Sequence, residues 1–185
     1  DFFFLTMLDK NYSKELSKEL KDADERREKV IQLSRDIIKE SKLIIYSLQR
    51  NDKTDLKRIQ TLLKILKRES QTGIEDTAIQ EYVEAVCFYE FLHKKKIPTH
   101  KDLEVDIDAY LMGLCDLTGE LMRKAVKDVI EQKYENAKEI TKLVEEIYGL
   151  FLQLDLRNGP IRQKADSIKW NLQKLEHLVL DISRR

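Results

Sequence analysis

An all-α fold, an antiparallel bundle of about six to seven helices, is what this chain predicts. Three observations lead there. The 185 residues include only 5 Gly and 2 Pro against 37% charged residues, and they are rich in Leu, Ile, Lys and Glu, which favour helices over sheets and turns. Apolar positions recur in steps of three and four through most of the length, and near the C-terminus they settle into a heptad seam. No internal repeat, low-complexity tract or linker interrupts the pattern, so residues 1–185 read as a single domain, long enough for one well-buried core.

The first helix runs over about residues 12–50, with Leu16, Leu20, Ala23, Val30, Ile37, Ile44 and Leu48 at helical spacing and charges between them. A second covers 55–68, with Leu56, Ile59, Leu63 and Leu66 facing inward, and stops before a turn at residues 70–73. Thr72 and Glu75 form a candidate capping box at the start of a third helix, which extends to about Lys95 and is stopped by Pro98. A polar connection leads to a fourth helix over 108–132, and a fifth follows over 135–154. Asn158-Gly159-Pro160 is the sharpest break. Beyond it Ile161, Ala165, Ile168, Leu172, Leu175, Val179 and Ile182 make the heptad seam, and Trp170, next to it, reads as packing.

Lys and Arg total 34 and Asp and Glu total 34, so any site for a polyanion must be a local patch. Cys87 and Cys115 are too few for a disulfide framework or a zinc site, which points to a reducing, cytoplasmic setting. The opening Phe2-Phe3-Phe4-Leu5 lacks the length of a spanning helix and the basic lead of a signal peptide, so no membrane is expected. We read it as packed on the core or on a neighbouring subunit. The chain opens on Asp1 rather than Met, which leaves room for native residues, and any targeting information, ahead of it.

The chemistry-bearing residues are carboxylates. Glu81 and Glu84 are three apart on the third helix, and Asp116 and Glu120 four apart on the fourth, so each pair projects from one face. If those faces meet, four carboxylates converge. Two such charges about 5 Å apart at an effective dielectric near ~20 repel by about 3 kcal/mol, so a converged cluster needs a cation, an Arg or Lys, or a proton. Hard oxygen donors without His or Cys suit Mg²⁺, or Mn²⁺, and such an ion can bind a phosphate oxygen and activate water. The structural alternative is a pair of solvated faces matched to nearby Lys or Arg. Against it stands the apolar company of both pairs: Ile79, Tyr82, Val83, Ala85 and Val86 around one, Leu114, Cys115, Leu117, Leu121 and Met122 around the other.

Gly113 and Gly119 each cost about 1 kcal/mol inside a helix relative to Ala, so close helix packing or the approach of a ligand should compensate. Arg123 can neutralise Glu120 three residues earlier or hold a phosphate. The run His93-Lys94-Lys95-Lys96 complements the dipole at its helix end and can equally contact phosphates. There is no phosphate-cradling Gly loop, no Ser, His and Asp constellation and no Glu-x-x-His pair of a di-iron bundle.

Two stretches carry more than spacing. Gln80-Glu81-Tyr82-Val83-Glu84-Ala85-Val86 and Asp108-Ala109-Tyr110-Leu111-Met112-Gly113-Leu114-Cys115-Asp116-Leu117-Thr118-Gly119-Glu120-Leu121-Met122-Arg123 closely resemble the signature helices of the translin family, on the side of translin-associated factor X. Leu33-Ser34-Arg35-Asp36 and Glu40-Ser41-Lys42 look like that family too. The resemblance implies a helical bundle that assembles into closed, hollow oligomers, commonly octamers, binding single-stranded RNA or DNA. It implies that the factor X type of subunit supplies a Mg²⁺-dependent endoribonuclease, while translin itself mainly binds nucleic acid. The implied acidic site falls on Glu81, Glu84, Asp116 and Glu120, and the family's basic surface on Lys94, Lys95 and Lys96. A short connection between Lys96 and Asp108 replaces a long insertion in the animal protein, and no basic nuclear-targeting stretch is visible, so the chain looks like a compact microbial or archaeal relative.

The expected function is therefore cleavage of single-stranded RNA in a homo-oligomer. Glu81, Glu84 and Asp116 would hold Mg²⁺, Glu120 would support them, and Arg123 and the lysine run would hold phosphates. A non-catalytic holder of single-stranded RNA or DNA, or a subunit that needs a separate translin-like partner, is the alternative. A helical nucleotide pyrophosphatase, which also sets carboxylates on facing helices, is a third class.

Overall fold

The expected periodicities fold into seven helices and, among the described residues, no strand. The structure is a computed structural model and describes residues 10–69 and 73–184. In chain order the helices are α1 (Lys10–Gln49), α2 (Lys57–Leu66), α3 (Asp76–Lys94), α4 (His100–Leu103), α5 (Ile107–Ile130), α6 (Tyr134–Gln153) and α7 (Pro160–Ser183). Phe2, Phe3, Phe4 and Leu5, and Thr72 of the expected capping box, lie outside the described residues.

No Gly or Pro interrupts the 40 residues of α1, which ends where Asn51 takes a left-handed turn. At 1.5 Å per residue it is about 60 Å long, roughly twice α3 beside it. Its second half packs Val30, Ile37, Ile44 and Leu48 onto α2 and α3. Its first half overhangs, so Leu16, Leu20 and Ala23 are exposed although they continue the same spacing. α2 lays Ile59, Leu63 and Leu66 against α1.

α3 is buried on opposite sides, between α1 and α5. It ends at Lys95, a left-handed C-cap, with Pro98 just beyond. The connection read from sequence as merely polar contains one helical turn, α4. Thr99 caps it by accepting from the Asp102 N–H, and the Asp102 carboxylate accepts in return from the Thr99 N–H. Asp106 then caps α5, its Oδ1 accepting from the Ala109 N–H at 2.9 Å.

α5 is the central helix, packed on α3, α6 and α7. Gly113 permits this. A Cβ there would lie 2.7 Å from the Val83 Cβ and 2.8 Å from the Gln80 carbonyl oxygen, so only a glycine lets α3 and α5 approach so closely. Gly119 is different: a Cβ there would meet only the Asn171 Nδ2, at 3.8 Å. Pro160 opens α7 in the first turn, where its missing N–H costs nothing. Of the seam residues, Ile168, Leu172 and Leu175 are buried and Ile161, Ala165, Val179 and Ile182 half-buried. Trp170 corrects the sequence reading. It lies two residues from both Ile168 and Leu172, hence on the far side of α7, and is 64% exposed.

Two side chains of α5, Lys124 and Lys127, tie it to the end of α1. Lys124 and Asp128, both buried, pair at 2.5 Å, and Lys124 also donates to the Asn51 Oδ1 at 3.0 Å. Lys127 donates to the Gln49 carbonyl at 2.9 Å. The end of α1 is thereby pinned beside the C-terminal part of α5. No described helix is long and apolar enough to cross a membrane.

Candidate functional site

The close approach of α3 and α5 decides the fate of the four carboxylates. Glu84 follows the Val83 that abuts Gly113, and Asp116 and Glu120 lie one and two turns further along α5. A groove of about 310 Å³ opens between α1, α3 and α5, lined by Lys42, Ile45, Tyr46, Glu81, Glu84, Glu120 and Arg123. Asp116 does not line it, but its charge acts on both Glu81 and Glu84. The two acidic pairs isolated in the sequence thus share one site.

Three of the four carboxylates hold partners. Asp116 Oδ2 receives Lys164 Nζ of α7 at 2.5 Å. Glu81 faces Lys42 at 3.9 Å, and Glu120 faces Arg123 at 3.8 Å. Gln49, buried at the end of α1, donates from Nε2 to both the Glu120 carboxylate and the Glu120 carbonyl, each at 2.8 Å. That geometry fixes the orientation of the Gln49 amide, because the flipped form would press its oxygen against two acceptors. Among the described residues no cation forms an ion pair with Glu84, which is 8% exposed. Burial first, then the charges of Asp116, Glu81 and Glu120, push its carboxyl up to about 8, with Lys164 opposing. Glu81 is also raised, by burial above all, with Lys42 pulling it down and Asp116 pushing it up.

The donor chemistry suits a hard divalent cation: carboxylate oxygens only, one of them buried and lacking a counter-charge. The side-chain placement is not yet that of a coordination shell. Among the described residues no three His, Cys, Asp or Glu side chains are grouped to hold one ion together. Lys164 on Asp116, Lys42 beside Glu81 and Gln49 on Glu120 supply the positive charge and donors instead, so Lys164 competes with a cation for Asp116.

The basic candidates divide. Arg123 reaches the groove. Lys94, Lys95 and Lys96 do not, since ten or more residues of α3 put them about 15 Å or more from Glu84. Lys94 pairs with Glu90 at 2.7 Å, and Lys95 pairs with Glu139 at 2.7 Å and lies over the Phe91 ring. Lys96 is exposed. Sequence reasoning missed Lys164 and Gln49, which lie 48 and 71 residues from their partners, beyond any helical spacing rule. It also passed over Tyr46, although the position one turn after Lys42 on the same helix marks it.

Comparison with known proteins agrees with this architecture. Residues 25–185 match the model of the translin family. An uncharacterised protein of Methanocaldococcus jannaschii is 26% identical over 185 aligned positions, covering 94% of this chain and 82% of the relative. The translin-associated protein X homologue of Schizosaccharomyces pombe is 31% identical, over 71% of this chain and 66% of its own length. Human translin is 32% identical over 46% of this chain, and the match spans only 37% of that protein. Among solved structures, apo-NeC3PO superposes with a TM-score of 0.84 at 28% identity, covering 95% of this chain and 98% of the other. AfC3PO, solved with duplex RNA, gives 0.83 at 23% identity over 92% and 95% of the two chains. With the family model covering everything from the middle of α1 to the end of α7, the chain belongs to the translin family.

Proposed function

We propose that this protein is a metal-dependent endoribonuclease acting on single-stranded RNA, of the translin-associated factor X type. The observation that carries the reading is the meeting of Glu81, Glu84, Asp116 and Glu120 beside one groove whose edge carries Lys42 and Arg123. Glu84 sits buried beside three other carboxylates with no counter-charge, held neutral by a proton that a bound divalent cation would displace. Glu81, Glu84 and Asp116 would hold Mg²⁺ or Mn²⁺, with Glu120 oriented beside them by Gln49. A divalent cation bound there would lower the pKa of a water molecule and offset charge on a phosphate oxygen. Lys42 and Arg123, both largely exposed, hold phosphates of the strand, and Lys164, once released from Asp116, adds a third cation. Lys94, Lys95 and Lys96 would contact the backbone further from the cut.

The solved neighbours are C3PO structures, which supports work in an oligomer of several copies. So do the exposed apolar residues Ile130, Leu152 and Trp170, which further copies would cover. Both cysteines are free and buried, consistent with a cytoplasmic setting. A second reading, a translin-type binding protein without catalysis, is favoured by one feature, the seating of Lys164 on Asp116. Incubation of labelled single-stranded RNA with wild-type and Asp116→Asn protein, with Mg²⁺ and with chelator, separates the two. Cleavage by the wild type only with metal, lost in the variant while binding and oligomer mass persist, supports the nuclease. Binding without cleavage by either protein supports the holder.

A further inference from the structure

We propose that Tyr46, braced by Arg50, is a stacking platform for one unpaired nucleobase of the RNA strand bound at the acidic groove. The proposal rests on the RNA-binding part of the reading above and names the part of the substrate taken at the groove's edge. Tyr46 lines the same groove as Glu81, Glu84, Glu120 and Arg123, yet it is 55% exposed, whereas its neighbours Ile44, Ile45 and Leu48 on α1 are buried. An aromatic ring at that exposure normally samples several rotamers. Here it is held. Arg50, one turn later, reaches the Tyr46 hydroxyl with Nη1 at 3.3 Å and sets its guanidinium 5.4 Å from the ring centroid. Asp52 in turn holds Arg50, accepting from Nε at 3.1 Å. Arg50 thus covers one face of a fixed ring and leaves the rest to a planar ligand.

The surroundings say which planar ligand. Arg50 contacts the ring and Lys42 and Arg123 line the same groove, three largely exposed cations that suit a flat π system tethered to a polyanion. A base in a single strand has a free face to offer, while a base inside a duplex has both faces already stacked. The platform therefore discriminates by strandedness rather than by sequence, since every base presents a π face. A second copy of this chain is the competing occupant of an exposed tyrosine.

The test uses full-length Asp116→Asn protein with Mg²⁺, so that RNA stays intact, with and without Tyr46→Ala or Tyr46→Phe. A single-stranded oligonucleotide carrying one 2-aminopurine at successive positions is titrated against each protein, beside a blunt duplex of the same sequence. Fluorescence quenching at one position, lost in Tyr46→Ala and kept in Tyr46→Phe, is expected. Single-strand affinity should fall about tenfold or more in Tyr46→Ala, with duplex affinity unchanged. Equal single-strand affinity, an equal loss on both substrates, or a change in oligomer mass caused by Tyr46→Ala overturns the proposal. If the Tyr46-intact protein binds no RNA, the proposed function falls with it. If it binds and the wild type cleaves while Tyr46→Ala changes nothing, only the platform falls.

Discussion

At Glu84 burial and like charge act in the same direction, against ionisation. Its folded-state carboxyl keeps a proton up to about 8, whereas the unfolded chain releases it near 4.5. Between those values the folded state binds the extra proton, so the contribution to stability is complete below about pH 4.5 and is lost as pH rises through 8. Linkage at ~1.36 kcal/mol per unit makes the loss on the order of 5 kcal/mol. Thermal melts in chelator should therefore show the wild type weakening over that window, and Glu84→Gln should flatten the profile. An unchanged profile in Glu84→Gln would assign the pH dependence to another group. Lys164 makes the complementary prediction. Because it occupies one Asp116 oxygen and competes there with a metal, Lys164→Met should tighten Mn²⁺ binding by about tenfold, or ~1.4 kcal/mol, in a calorimetric titration. Lys42→Met, removing a cation 3.9 Å from Glu81, should do less; equal effects would mean that only net charge matters. At this scale the acidic residues were legible because each pair lies within one helix, where spacing alone sets a shared face. Their neutralising partners were not, because Lys164 and Gln49 reach them through the tertiary fold.

At the scale of elements, the contact between α3 and α5 sets the separation of the two acidic pairs. Gly113→Ala forces a Cβ against Val83 and the Gln80 backbone, so it should cost about 1 to 3 kcal/mol as overpacking and loosen the site it adjoins. Gly119→Ala meets no such wall and should be neutral or stabilising by up to ~1 kcal/mol. Chemical denaturation of both variants checks this pair of outcomes. Equal costs would mean that the glycines serve a ligand rather than the helix contact. Sequence marked both glycines as anomalous but could not say which was crowded, since that depends on what lies across the interface. The other differences have similar causes. The periodicity of α1 runs on through Leu16 and Leu20 past the point where a partner helix is available. The one-turn α4 is too short for a periodic signal, although Thr99 and Asp102 spell its cap. Trp170 is bulky and apolar and sits beside a seam, yet its angle around α7 turns it outward.

For the molecule as a whole, the six longer helices were readable because each carries an apolar stripe, and Gly159-Pro160 and Pro98 mark the breaks. α5 is the member that the rest of the bundle is built around, touching α3, α6 and α7, and it carries half of the acidic site along its length. The buried Lys124 and Asp128 pair and the Lys127 contact pin the end of α1 against it, and Gln49 at that end orients Glu120. Fold and site are consequently not separable: the packing that brings α1, α3 and α5 together also leaves Glu84 buried among like charges. The measurement that tests the central claim most directly is anomalous scattering from crystals of the protein soaked in Mn²⁺. A peak bounded by Glu81, Glu84 and Asp116, with Lys164 swung away from Asp116, is the predicted result. Lys164 still seated on Asp116, with no manganese between α3 and α5 at a concentration that supports cleavage, would contradict it.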